Sequence, residues 1–298
     1  MVGAVCRVNG RLVRQDASFN GCLYQGKMNE LDIQDRIMDG STFNTTKPLF
    51  KLGAADGPPF EHYAAGRKSR YLVVCDHARN RIPECLGNMG LSAAALQEHF
   101  AWDPGSEGVG RHLADLLDCP ALIGGFSRLV IDLNRGIDHP RLCTPHEDQT
   151  DIPPNIGITP DEIKARIAAL YEPYHAAIRA ALVDILERGE EPVLISSHSF
   201  TPQYRNGAPR PWQIGILWRR DRRVSGPVLE ALQQRGDLVV GDNQPYDRRQ
   251  LGQPNDCYCE DQGIRNLLFE VRHDLISTAE EQQRWAQIIF DALPGHDI

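Results

Sequence analysis

Tyr71-Leu72-Val73-Val74-Cys75-Asp76-His77 and Val193-Leu194-Ile195-Ser196-Ser197-His198 are two short apolar runs, rich in β-branched residues, that each stop on a histidine. They are too short for a helix with a buried face and lack the polar alternation of a half-exposed strand. They therefore read as inner strands of a sheet covered on both sides. If the strands are parallel, their carboxyl ends share one edge. In open α/β sheets ligands bind along that edge, and imidazole is the commonest metal ligand in proteins.

Outward from these runs the chain alternates strand and helix. Gly108 to Leu117 reads as a helix, and a polar loop after the first strand leads to another opening near Leu91-Ser92 and Ala93 to His99. Strands are expected at 121–123 and at Leu129-Val130-Ile131-Asp132-Leu133. A Pro-rich connection ends at Thr159-Pro160-Asp161-Glu162, an N-cap with proline at the first helical position. Helices follow to Leu170 and from Pro173 to Arg188, stopped by Gly189. Further strands are expected at 213–218, 238–240 and 267–271, with helices near 227–234 and 279–293. The fold class is α/β, a mixed, largely parallel sheet flanked by helices. Residues 1–60 lack a sustained period and read as a poorly ordered extension, within which Met28 and Met38 are alternative starts; 61–298 read as a single domain.

The 298 residues supply ample core for such a domain. A net charge of -8 without any Lys/Arg-rich run argues against nucleic-acid binding and favours a small-molecule substrate. Eight cysteines without a CxxC pair, Cys257 and Cys259 being the closest, read as reduced thiols of a cytoplasmic protein. No apolar stretch approaches membrane-spanning length, and charge interrupts the N-terminus before any signal-peptide core.

His77 and His198 are too far apart in sequence for a helical HExxH arrangement, so a third ligand must come from elsewhere. Asp103, in Trp102-Asp103-Pro104-Gly105, is our choice; the alternative is an N-cap for the next helix. Two histidines and a carboxylate with an open fourth position are the ligand set of a hydrolytic zinc site. Arg128 and Asn134-Arg135 flank the Leu129–Leu133 run and suit anion recognition, unless an arginine simply pairs with Asp138. Asp132, a carboxylate in an apolar run, must be paired, which suits orienting a ligand histidine or an arginine. Glu270 lies in an apolar strand, where burial raises its pKa toward that of a general base; an ion pair with Arg272 is the alternative. His175 reads as structural. A GxSxG elbow, a dinucleotide fingerprint and a P-loop are all absent.

Four segments together resemble the N-formylglutamate amidohydrolase family: Cys75-Asp76-His77-Ala78-Arg79-Asn80-Arg81-Ile82-Pro83, Trp102-Asp103-Pro104-Gly105, Ser127 to Arg135, and Ser197-His198-Ser199-Phe200-Thr201-Pro202. Gly241 to Tyr246 and Glu270 to Ile276 extend the resemblance, which covers about residues 60–293. It implies a zinc amidase on a phosphorylase/hydrolase-like, zinc-carboxypeptidase-like fold, with His77, His198 and Asp103 as ligands of Zn2+ and Glu270 as the base; on that mechanism we expect Arg128 to face the developing oxyanion. Asn134 and Arg135 fall where carboxypeptidase-like sites bind a substrate carboxylate. The implied substrate is an N-acyl amino acid, N-formyl-L-glutamate in the simplest case. Two departures bear on substrate identity: Arg79 stands where a small serine-like residue is expected, and Tyr258 where relatives often carry histidine. A zinc carboxypeptidase or longer-chain deacylase is the enzymatic alternative, and a metal-free carboxylate-binding protein the non-enzymatic one.

Overall fold

Both apolar runs become inner strands in the computed structural model, which describes residues 5–8, 11–14, 50–250, 254 and 259–295. In chain order, Val5–Val8 (β1) and Arg11–Arg14 (β2) form a separate antiparallel hairpin. Phe60–Tyr63 (β3), Tyr71–Cys75 (β4), helix Ser106–Leu116 (α1) and Ala121–Gly124 (β5) follow. A two-residue hairpin, His146–Glu147 (β6) with Thr150–Asp151 (β7), precedes Pro160–Arg166 (α2). A wider π turn then leads into Glu172–Glu187 (α3). The second half comprises Val193–Phe200 (β8), Ile214–Leu217 (β9), Ser225–Gln234 (α4), Val240–Asp242 (β10), Arg265–Arg272 (β11) and Ala279–Ala292 (α5).

Seven strands join in the order β10-β9-β11-β8-β4-β5-β3. The central four, β11, β8, β4 and β5, are parallel; β9 and β3 run antiparallel to their inner neighbours. Alternation along β4 explains the missing polar face of its sequence. Leu72 and Val74 pack on one side with Leu170, Tyr174 and Ile178, while Val73 and Cys75 pack on the other with Val109, Leu113 and Ile289. Each face is covered by helices, so neither needed polar residues.

Local signals hold the helices in place. The Thr159 hydroxyl accepts from the Glu162 amide at 3.2 Å with Pro160 at the first position, and Gly189 turns the chain after α3 with φ +80°. Close approach explains Gly110 in α1, where an added Cβ would lie 2.4 Å from the Cys75 sulfur.

Three sequence expectations need correction. Leu129 to Leu133 is not a strand but a buried series of turns, in which Val130 N donates to Ser127 O and Asp132 N to Leu142 O. Between Leu91 and His99 there is only a single 3-10 turn, Ala95–Gln97, held by one Ser92 cap. The strand expected at 238–240 is shifted to 240–242. Of the expected extension, residues 1–4, 9–10 and 15–49 lie outside the described residues; Phe50 is already buried in the core, its amide donating to Glu162.

Candidate metal centre

The carboxyl ends of β4, β8 and β11 bring the predicted residues together. His77 lies two residues past the end of β4, and parallel register places His198 of β8 beside Glu270 of β11. Asp103 arrives on the turn before α1, where its amide donates to the His77 carbonyl at 2.9 Å. Its own carbonyl accepts from the Ser106 amide and hydroxyl. The helix entry thus uses the Asp103 backbone and leaves its carboxylate free for the histidines, which answers the N-cap alternative. The Asp103 carboxylate lies 2.9 Å from His198 Nδ1 and 3.4 Å from His77 Nδ1. His77, Asp103 and His198 are all buried, with one ligand atom from each within 4.8 Å of the others.

A second layer of carboxylates orients both rings. His77 Nε2 meets Asp132 Oδ1 at 2.7 Å, and His198 Nε2 faces Asp76 Oδ2 at 3.4 Å. Each imidazole sets its Nε2 edge against an outer carboxylate and its Nδ1 edge toward Asp103, a placement of the kind by which outer carboxylates orient a metal-binding histidine. Asp76 is itself held by the Tyr174 hydroxyl at 2.7 Å. Asp132 also takes Arg128 Nη2 at 2.9 Å and the Asn134 amide at 2.9 Å, with Arg135 Nε at 3.6 Å. Both arginines thus pair with Asp132 rather than Asp138, and Asp132 serves a histidine and the arginines together. The Asn134 side-chain amide lies 3.4 Å from His198 Nε2.

The electrostatics suit a cation. Four carboxylates, Asp76, Asp103, Asp132 and Glu270, face two guanidiniums. Burial alone would raise the Asp103 carboxyl, but the neighbouring imidazoles hold it well below the usual carboxylate range. Burial lowers the His198 imidazole, and its hydrogen bonds to Asp103 and Asp76 reverse this, pushing it up to about 10. Among the described residues, His77 Nδ1 and Glu270 Oε2 are buried without a hydrogen-bond partner. Leaving such atoms unpaired costs about 1–3 kcal/mol each, so a ligand there is the economical explanation for His77 Nδ1. The residues fit a divalent ion bound by two imidazoles and a carboxylate.

Glu270 does not pair with Arg272, whose guanidinium turns to Asp274 at 2.8 Å. Burial pushes the Glu270 carboxyl up to about 7. His175 is structural: buried in α3, its Nε2 donates to the Leu133 carbonyl at 3.0 Å. Arg79 is engaged with Glu61 and Glu107 at 2.5 and 3.0 Å, tying β3 to α1. Cys257 and Tyr258 lie outside the described residues. The residue that sequence reasoning passed over is Asp76, whose signal was a charge placed between a buried strand and a strand-end histidine.

Residues 69–277 match the family model described as N-formylglutamate amidohydrolase. Among solved structures, the gene product Atu2144 from Agrobacterium tumefaciens is 32% identical with a TM-score of 0.77, over 81% of this chain and 97% of that one. N-formylglutamate amidohydrolase from Ralstonia eutropha JMP134 is 20% identical with a TM-score of 0.55, over 78% of this chain and 96% of that one, a likeness of fold. A comparison with curated protein sequences finds no match. Since the family model spans well over half of the chain, the protein belongs to the N-formylglutamate amidohydrolase family, whose members are hydrolases.

Proposed function

We propose that the protein is a zinc-dependent amidohydrolase that cleaves N-formyl-L-glutamate to formate and L-glutamate, with His77, Asp103 and His198 as the metal ligands. The observation that carries this reading is the convergence of the three buried ligand atoms beside a buried glutamate with an unpartnered oxygen. The chemistry zinc supplies when bound is Lewis acidity, which polarises an amide carbonyl and makes a water more acidic.

Glu270 acts as the general base. Its Oε2 accepts the proton of the attacking water, and the same carboxyl returns that proton to the leaving amine nitrogen as the C–N bond breaks. A pKa near 7 suits both transfers at neutral pH. Arg128, fixed by Asp132 and Asp103, faces the oxygen on which negative charge develops. Asn134 and Arg135 bind the substrate α-carboxylate and set the amide in place. Among the described residues no helix is long and apolar enough to cross a membrane. The free thiols of Cys75, Cys85, Cys119, Cys143 and Cys259 support a cytoplasmic setting.

The test is Glu270→Gln, assayed with N-formyl-L-glutamate, N-succinyl-L-glutamate and short peptides. The variant is expected to keep stoichiometric zinc while turnover falls ~100-fold or more. Unchanged turnover removes Glu270 from the mechanism. Faster wild-type cleavage of succinylglutamate or peptides replaces the deformylase reading with a deacylase or peptidase one.

A further inference from the structure

The loop between β8 and β9 carries an arginine that the proposed reaction leaves unused. Arg210 Nη1 donates to the Thr201 carbonyl at 3.1 Å and to the Tyr246 hydroxyl at 3.3 Å. Its guanidinium lies 4.2 Å from the Tyr204 ring centroid and 5.1 Å from that of Tyr246. The two tyrosine hydroxyls are 3.3 Å apart. Among the described residues no carboxylate forms an ion pair with Arg210. Among those residues its Nε–Nη2 edge, the one that grips a carboxylate bidentately, thus has no anionic partner, although the side chain is half-buried.

The loop is tied to both strands of the metal centre. Thr201, whose carbonyl Arg210 holds, comes three residues after His198. Arg272, two residues after Glu270, donates from Nη1 to the Arg210 carbonyl at 3.2 Å. Tyr246 reaches the same region because residues 243–246 fold back over β9. Gly215, paired with Glu270 across the sheet, leaves room for the Gln244 carbonyl directly above it. Burial and then the charge of Glu270 raise the Tyr246 hydroxyl well above its ordinary pKa, in keeping with that proximity. Asn134 and Arg135, by contrast, follow β5 on the other side of β8. In sheet order, β9 and β10 lie on one side of the β8–β11 pair and β5 on the other.

We infer that Arg210, with the hydroxyls of Tyr204 and Tyr246, forms a second carboxylate subsite that binds the side-chain carboxylate of a dicarboxylic amino-acid substrate. The inference rests on the reading of Asn134 and Arg135 as the α-carboxylate site. Two anion receptors on opposite sides of one metal centre select a substrate with two carboxylates over one with a single carboxylate. Fixing the guanidinium between rings before binding lowers the cost of ordering it.

The test compares L-glutamate with its uncharged isostere L-glutamine by calorimetry on zinc-loaded protein, and N-formyl-L-glutamate with N-formyl-L-glutamine by turnover. Wild type is expected to favour the acid over the amide by roughly 10- to 100-fold, the range for a charge-assisted hydrogen bond. Arg210→Gln should collapse that ratio, mainly through KM, and Arg210→Lys should restore part of it. Tyr246→Phe should lower it less. If Arg210→Gln does not fold by circular dichroism, Arg210→Lys and Tyr246→Phe decide the matter through the same ratio. A ratio unchanged in the folded variants, or wild-type indifference between glutamate and glutamine, overturns the subsite. Should wild type bind glutamate through Arg210 yet cleave no formylated amino acid, the deformylase reading falls and the subsite stands.

Discussion

Asp132→Asn separates the proposed metal centre from a merely well-packed cluster. Three hydrogen bonds converge on this carboxylate beside the Arg135 guanidinium at 3.6 Å: His77 Nε2 and the Asn134 amide share Oδ1, at 2.7 and 2.9 Å, while Arg128 Nη2 takes Oδ2 at 2.9 Å. An asparagine can keep its oxygen toward His77 and the Asn134 amide. Its NH2 group must then face the Arg128 guanidinium, donor against donor. The substitution therefore removes one charge-assisted bond, worth about 1.5–3 kcal/mol, and leaves His77 with a neutral acceptor. Loss of such an outer partner typically weakens metal binding about 10- to 100-fold. Zinc affinity is measured by competition with a chromophoric chelator, with thermal unfolding recorded alongside. Asp76→Asn provides the comparison, because its contact with His198 is longer, at 3.4 Å, and the expected loss is smaller. Zinc binding by Asp132→Asn within about twofold of wild type would refute the role of Asp132 as the anchor of a ligand histidine.

Other consequences can be checked independently. Gly215→Ala would put a Cβ 1.9 Å from the Gln244 carbonyl, forcing residues 243–246 away from β9. Thermal unfolding should show a loss of about 1–3 kcal/mol, and unaltered stability would mean that the segment moves freely. His175 offers a pH test: burial holds its folded pKa down to about 4, below the ordinary 6.5, so the unfolded chain binds the proton more readily. Its contribution is present in full above pH 6.5 and is lost as pH falls toward 4, about 2 kcal/mol being gone at pH 5. Urea unfolding at pH 7 and pH 5 should show that drop in wild type and a smaller one in His175→Gln, which keeps a donor for the Leu133 carbonyl; equal drops would contradict it.

Much of the architecture was legible because the central strands are buried on both faces, which leaves an unbroken apolar run that a short length identifies as strand. The same rule misread Leu129 to Leu133. That run is apolar because it is buried on turns, and periodicity over five residues cannot separate the two cases. Its flanking residues still reached the site, since Arg128, Asn134 and Arg135 depend on where the segment lies and less on its backbone form. Ser92 to His99 carried alanines that favour helix, yet its hydrogen bonds amount to a single turn. Asp76 was hidden beside the more conspicuous His77. Arg210 gave no signal at all in its Pro- and Arg-rich loop, because its importance arises from strands β8 and β11 meeting far along the chain.

The decisive measurement is hydrolysis of N-formyl-L-glutamate by zinc-loaded, chelator-stripped and zinc-restored protein, with zinc content measured in each and in His198→Ala. We expect one zinc per chain in the loaded protein, a rate loss of about 100-fold or more on stripping, recovery on restoring zinc, and neither tight zinc nor activity in His198→Ala. Full activity in protein shown to be free of metal would contradict a hydrolytic centre built on His77, Asp103 and His198.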